Sequence, residues 1–272
     1  MSLRTFTARL VKSRLGTSRK DFSDAEAEQQ ARSTVATIRE MTEAQRKRYF
    51  RTLDPAEKKE LNDLIWAVAW VECRDNIETF ANYVKTKDEH ATGDFSVRPF
   101  PLREEKPYIW EIIDTILAEP VLAVEKSRQL LVTWIACMYS LWTAKFHKNR
   151  LVFLQSKKEE DAANLVFNTE WQNARISFIE SNLPTQLRSD VSSSYAKLSF
   201  KKEGSLIWGI PEGGDQIRSY TPSLVVSDEA AFQPEFQEAW KALIPAIKGG
   251  GRVLIISSAR NGAYMKQLIS RV

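Results

Sequence analysis

The sequence predicts an α/β fold, a mainly parallel sheet flanked by helices, with a helical segment ahead of it. Two observations carry this. From Ile109 onward, short apolar runs rich in Val, Leu and Ile alternate with stretches of helical periodicity: PVLAV (120–124), RLVFLQ (150–155), SLVVSDE (223–229) and RVLIISS (252–258). Runs of that length separated by helices imply right-handed βαβ crossovers and hence a parallel sheet. Before about Lys85 the pattern is helical, polar and charged, and lacks such runs.

Residues 1–20 carry Arg4, Arg9, Lys12, Arg14, Arg19 and Lys20 and no acid. Such a stretch suits a solvated tail as well as an arm lying on DNA. Its Arg- and Ser-rich composition also matches an organelle transit peptide. Residues 21–85 read as helices. Asp54-Pro55 marks a helix start, and Leu61, Leu64, Ile65, Val68, Ala69 and Val71 recur at the spacing of one packed face. The following loop is broken by Gly93, Pro99, Pro101 and Pro107, which divides the chain into a basic arm with a helical subdomain (1–95) and a larger region (96–272). In the larger region a helix at 109–119 precedes the strand PVLAV, a helix spans about 130–144, and RLVFLQ follows. A helix over 158–172 leads to a hairpin, AKLSFKKEGSLIWGI, turning at Glu203-Gly204. Then come the strand SLVVSDE, a helix over 234–247, the turn Gly249–Gly251 and the strand RVLIISS.

With 272 residues, 43% of them hydrophobic, the chain can bury a sizeable core. Its formal charge of +4 is too small to identify a nucleic-acid partner by itself. Cys73 and Cys137, each within an apolar helical pattern, argue against a disulfide framework or a structural zinc site and fit a reducing compartment. His90 and His147 stand far apart, without a ligand cluster. No apolar run approaches the ~18 residues of a membrane span, and no signal peptide is evident. The expectation is a soluble intracellular protein.

LVVSDEAAF (224–232) is the most informative string. A buried strand ends in two carboxylates, Asp228 and Glu229, whose side chains leave the strand on opposite sides. One can hold a Mg²⁺ and its water while the other orients a nucleophilic water, a division that phosphoryl transfer needs. The same pair also suits a plain cap on the next helix. EKSRQLLVTW (125–134) joins a strand to a helix through Lys126, Ser127, Arg128 and Gln129, with Thr133 inside the helix start. Backbone N–H groups, a cation and a hydroxyl in that layout can cradle phosphate and Mg²⁺. The common pattern G-x-x-x-x-G-K-[ST] would have Gly and Lys where Leu131 and Val132 stand, so an ordinary basic turn fits as well. Lacking glycine, the loop is expected to approach a ligand in ordinary φ/ψ space. RVLIISSAR adds Ser257 and Ser258 at the end of a third strand, and ligands of parallel sheets bind at such carboxyl ends.

KSRQLLVT, followed by GDQIRSYTPSLVVSDEAAF and IISSAR, resembles the ATPase domain of the large terminase subunit, the DNA-packaging motor of tailed bacteriophages. The resemblance runs from about Arg98 to Arg260 and lies in the order and combination of the motifs. It implies a P-loop ATPase fold of the RecA-like (ASCE) kind over 96–272, with ATP and Mg²⁺ as cofactors. By it, Lys126 and Arg128 contact phosphate, Ser127 and Gln129 belong to the loop, and Thr133 and Asp228 hold the metal. Glu229 activates the attacking water, and Ser257 and Ser258 form the motif coupling hydrolysis to DNA movement. Arg218 matches a candidate arginine finger acting on a neighbouring subunit, and it suits a surface ion pair equally well. The segment RPFPLREEKPYIWEII resembles the family's adenine-recognition segment, with Lys106 where a Gln is usual and Tyr108 or Trp110 offering a ring to the base.

The resemblance also implies partners: double-stranded DNA, a portal protein, a small terminase subunit and further copies of the chain in a ring. It implies action in the host cytoplasm and, transiently, at the procapsid portal vertex, with no membrane. Only Ala259–Val272 follow Ser258, which leaves no room for the family's nuclease domain, so no DNA cleavage is expected. Two other readings stay open. A helicase-type nucleic-acid ATPase would separate strands of a forked duplex, and a non-catalytic DNA-binding scaffold with a decayed nucleotide site would release no phosphate.

Overall fold

The computed structural model describes residues 24–88, 91, 93–127, 129–170 and 174–270. The basic arm over 1–20 and His90 lie outside them. The chain forms two compact units, Met1–Asn76 and Ile77–Val272. Their boundary lies upstream of the expected one because Ile77–Ala81 and Lys85–Lys87 pack on helices of the second unit.

The first unit holds α1 (Asp24–Glu40), α2 (Glu43–Arg51) and α3 (Pro55–Asp75). Capping boxes start two of them. Thr42 exchanges bonds with Gln45 and Asp54 with Glu57, satisfying backbone donors that a helix start leaves open. Ala31 and Val35 of α1 pack on Leu64 and Val68 of α3, and Ile38 packs with Leu53 and Leu61. Arg39 forms a two-pronged bond to Glu72. The apolar face read from the sequence of α3 is therefore the buried one.

The second unit begins with α4 (Ile77–Ala81), then β1 (Lys85–Lys87) paired antiparallel with β2 (Val97–Pro99), and α5 (Pro107–Ala118). Alternation follows: β3 (Val121–Glu125), α6 (Val132–Phe146), β4 (Leu151–Gln155), α7 (Glu159–Val166), α8 (Arg175–Asn182), β5 (Val191–Ser194), β6 (Lys197–Phe200), β7 (Ser205–Ile210), α9 (Asp215–Ser219), β8 (Leu224–Asp228), α10 (Phe236–Lys248), β9 (Arg252–Ser257) and α11 (Tyr264–Ile269). The main sheet has the order β3-β9-β8-β4-β7-β6-β5. The first five strands run parallel, and β6 and β5 add an antiparallel edge. One face carries Phe153, Val225, Val253 and Ile255 against Phe236, Ala239 and Leu243 of α10. α6 is buried nearly all round and packs against β4, β7, β8 and α8, which suits its largely apolar sequence. Among the described residues no helix is long and apolar enough to cross a membrane, and Cys73 and Cys137 are both buried thiols.

Two elements differ from expectation. The helix expected over 158–172 stops at Val166. Asn168 turns the chain there: its Nδ2 donates to Asn164 and its Oδ1 accepts from the Glu170 N–H, offering the backbone a partner outside the helix. α8 then starts afresh at Arg175. The strand β5, VSSS, carries too little apolar signal to be read alone and exists through its pairing with β6. The hairpin of β6 and β7 forms as expected, with Gly204 at φ +67° in its turn.

At the far end of α6, Lys145 is fully buried and donates to both oxygens of Glu180 (2.9 and 3.0 Å) and to Ser189 Oγ (2.8 Å). Glu180 also accepts from the Ser189 N–H. Removing one partner leaves the other charge desolvated and unpaired, a loss of about 3–5 kcal/mol. Glu180→Ala is therefore expected to lower the urea midpoint of this unit sharply. The apolar pair Lys145→Met with Glu180→Leu should recover most of the loss, less the Ser189 N–H bond.

Candidate functional site

β9 lies between β3 and β8 and aligns their ends. Glu125 is in register with Ser257, and Asp228 with Ile256. The Lys126 N–H donates to the Ser257 carbonyl at 3.0 Å, so the 126–131 loop leaves the sheet beside the serine pair. Lys126, Asp228-Glu229 and Ser257-Ser258 thus meet at one carboxyl edge, although they are distant in sequence. A cleft of about 1270 Å³ opens over that edge, and Lys126, Gln129, Thr133, Asp228, Glu229 and Ser258 line it.

The loop reaches the helix without glycine by using left-handed backbone at other residues. Gln129 has φ 65° and Leu131 φ 58°. This corrects the expectation of ordinary φ/ψ space: Leu131 adopts the left-handed conformation at the very position where the common phosphate-loop pattern has glycine. A non-glycine residue there costs about 1–2 kcal/mol. Glu229 is left-handed too, at φ 51°. Among the described residues five non-glycine residues have positive φ, and three of them line this cleft, the clustering that functional sites show. Tyr108 braces the loop by donating its hydroxyl to the Leu130 carbonyl at 3.3 Å. Burial pushes the Tyr108 phenol up, which keeps it a donor.

The acidic pair is divided electrically. Asp228 is buried, and its Oδ1 accepts from Thr133 Oγ1 at 3.3 Å. Burial and then the neighbouring Glu229 charge push its carboxyl up, against the pull of Lys126 and Arg175 and the Thr133 bond. Glu229 is half-buried. Burial works against its charge, but bonds from Lys126 Nζ (3.0 Å), the Ser258 N–H (3.2 Å) and Ser257 Oγ (3.4 Å) prevail and hold it below the usual glutamate range. Ser257 in turn accepts from the Ala231 N–H at 3.1 Å, and Gln233 donates to the Asp228 carbonyl and to Ser227 Oγ. Two adjacent carboxylates therefore have different tasks available to them.

Not every sequence candidate is in the cleft. Arg128 lies outside the described residues. Ser127 is exposed and Ser257 is buried behind Ser258. Arg218 is half-exposed on α9, paired with Asp215 (3.2 Å) and Glu238 (3.6 Å), and takes no part in lining the cleft. Trp110 offers no ring to a ligand. It is 2% exposed, packed edge-on against Phe100, with its N–H on the Pro101 carbonyl. Lys106 does line the cleft, with Glu105 and Arg98. Sequence reasoning missed Ser156, Lys157 and Arg175. The first two follow β4 directly, and the rule that ligands sit beyond parallel strand ends would have found them. Arg175 carries no local signal.

For a metal, Thr133 and Asp228 offer two hard oxygen donors side by side. Mg²⁺ keeps several waters and takes one or two protein oxygens plus phosphate oxygens, so this donor set fits it with a nucleotide. The rest of the cleft, cationic at Lys126, Lys157 and Arg175, fits the phosphates.

No protein-family model matches the chain. Among solved structures it is similar to the large terminase of bacteriophage HK97, at 16% identity, with a TM-score of 0.52, over 73% of this chain and 40% of that one. It also matches the ATPase domain of the Thermus phage P74-26 large terminase, with a TM-score of 0.40 and 16% identity over 54% of this chain and 62% of that one. A third match is the large terminase of a thermophilic bacteriophage in complex with ADP, with a TM-score of 0.40 and 13% identity over 55% of this chain and 36% of that one. The first establishes that the chain shares the fold of phage large terminases. The match spans 40% of the length of the HK97 protein.

Two expectations follow. Leu131→Gly should leave the melting temperature unchanged or raise it, because it relieves the left-handed strain. Leu131→Ile, β-branched at the same φ, should destabilise further, read as a lower melting temperature. The second concerns pH. The Asp228 carboxyl is raised, so the folded state holds its proton more tightly, and the stability from this group falls as pH rises from the ordinary aspartate value through the raised one. Asp228→Asn should therefore raise the melting temperature at neutral pH and flatten this part of the profile. Glu229, lowered, acts in the opposite sense: its contribution is present above the ordinary glutamate value and is lost as pH falls through the lowered one.

Proposed function

We propose that this chain is the ATP-hydrolysing motor domain of a viral large terminase, moving double-stranded DNA into a procapsid. One observation carries the reading: in a sheet of this fold, Lys126, Glu229 and the Ser257-Ser258 turn form one hydrogen-bonded network beside the Thr133–Asp228 pair. A loop cation, a metal-ligand pair and an ionised carboxylate on the same strand edge are the parts that phosphoanhydride hydrolysis requires.

Bound Mg²⁺, held by Thr133 and Asp228, would neutralise the negative charge that develops on the phosphates. The chain's own residues supply the rest. Lys126, released from Glu229, would neutralise phosphate charge, assisted by Arg128. Gln129 and Ser127 shape the loop, and Tyr108 holds its far side through Leu130. Glu229 would accept the hydrogen of the attacking water. Its carboxylate stays ionised at neutral pH, and the Ser258 N–H and Ser257 hydroxyl orient it. Because that turn also touches the carboxylate, a change at Glu229 reaches Ser257 and Ser258 directly, a physical route from hydrolysis to movement. Arg218, half-exposed and held only by surface acids, remains available to a neighbouring subunit's nucleotide in a homo-oligomeric ring. The further partners in this reading are a portal protein and a small terminase subunit, met in the host cytoplasm and at the portal vertex. DNA contacts of a motor would be phosphate-directed, with affinity falling steeply as salt rises.

The test is Mg²⁺-dependent phosphate release, with and without double-stranded DNA, paired with ATP binding. Wild type is expected to release phosphate. Glu229→Gln is expected to bind ATP and lose turnover by at least about a hundredfold. Turnover unchanged in Glu229→Gln would remove the assigned role of Glu229, and a wild type that binds no ATP would overturn the ATPase reading.

A further inference from the structure

Arg175 is the cation in the cleft that no loop motif accounts for. It opens α8 and lines the cleft with Thr133, Trp134 and Asp228. Its guanidinium lies over the Trp134 ring, 5.8 Å from the centroid, and Trp134 is held from the same α8 face by Phe178 in an edge contact, also at 5.8 Å. Positions three apart on a helix share a face, so Trp134 of α6 docks into a notch made by Arg175 and Phe178. The Lys145–Glu180 bond fastens the other end of α8 to the same helix. Arg175 is therefore carried on a helix clamped at both ends to the one that follows the phosphate loop, and its position relative to Thr133 is fixed by packing.

The charge balance points the same way. A triphosphate brings about four negative charges, of which Mg²⁺ returns two. The cleft already holds the carboxylates of Asp228 and Glu229, and Lys126, which pairs with Glu229, has to serve the phosphates as well. A further cation on the Asp228 side adds to that balance. Lys157 is exposed at the rim, whereas Arg175 is half-buried and lines the cleft together with Thr133 and Asp228.

Resting on the ATPase reading, we propose that Arg175 is a nucleotide-binding residue that contacts the terminal phosphate within its own subunit, so that the site distinguishes a nucleoside triphosphate from a diphosphate. The planar guanidinium, already stacked and oriented by Trp134, suits two-pronged recognition of a phosphate, which a lysine would not reproduce.

The experiment is equilibrium binding of Mg²⁺-ATP and Mg²⁺-ADP to wild type, Arg175→Ala, Arg175→Lys and Lys126→Ala, each checked for an unchanged melting transition. One lost charge-assisted contact corresponds to about ten- to a hundredfold in affinity. Arg175→Ala is expected to weaken ATP by that factor and leave ADP within about twofold, while Arg175→Lys recovers only part. Lys126→Ala is expected to weaken both. If Arg175→Ala binds ATP and ADP with the wild-type ratio, the proposal fails and the ATPase reading stands. If wild type binds neither nucleotide, both fail. Should Arg175→Ala melt early, Arg175→Gln, which keeps a planar group over Trp134, replaces it under the same criterion.

Discussion

The site depends on the parallel register of β3, β9 and β8. Strand β9 pairs with the other two over their lengths and ends level with both. A shift of one residue in either pairing would turn Asp228 or Ser257 to the opposite face and separate the loop from the acidic pair. Everything chemically active is attached at this edge: the Lys126 backbone to the Ser257 carbonyl, the Glu229 carboxylate to the Ser258 N–H, and the Lys126 side chain back to Glu229. A closed circuit of hydrogen bonds thus spans three strand ends, and the apolar strands beneath it, Val225, Val253 and Ile255 among them, give it a rigid base.

On that base the chain stores backbone strain where ligand contact is proposed. Leu131 and Gln129 hold left-handed conformations that glycine adopts freely, and Glu229 does the same after Asp228. Such residues persist only when their surroundings overdetermine them. Here Tyr108 fixes Leu130 from one side, and the buried start of α6, Val132 and Trp134, fixes the other. A loop held this way has a defined shape before any ligand arrives, at the expense of stability.

The same edge separates two neighbouring carboxylates by environment. Asp228 faces the interior beside Thr133, where its charge is costly until a cation shares it. Glu229 faces the cleft with three donors and remains charged. Helix α8 adds a long-range element: it meets α6 near the loop through Trp134 and at the far end through Lys145, and the start of α6 and Arg175 line one part of the cleft.

Much of this was legible in the sequence, for local reasons. Short β-branched runs between helical patterns identify four of the five parallel strands, Asp54-Pro55 starts its helix, and Glu203-Gly204 closes the hairpin that contains the fifth, because each follows from the preferences of adjacent residues. Lys126, Asp228, Glu229 and Ser258 were recognisable as polar residues at strand ends, and Thr133 as one at a helix start. The tertiary structure alone decided the rest. Strand β9 enters between β3 and β8 although it comes last in sequence, and that non-local pairing brings the candidates within bonding distance. VSSS becomes a strand because β6 pairs with it, and Asn168 ends a helix that periodicity would continue. Trp110 is withdrawn into packing, Arg218 is left at the surface, and Arg175 enters the cleft from a helix of ordinary sequence. Periodicity and propensity are properties of neighbours along the chain. Register, burial and the left-handed φ of Leu131 are imposed by partners far away in it.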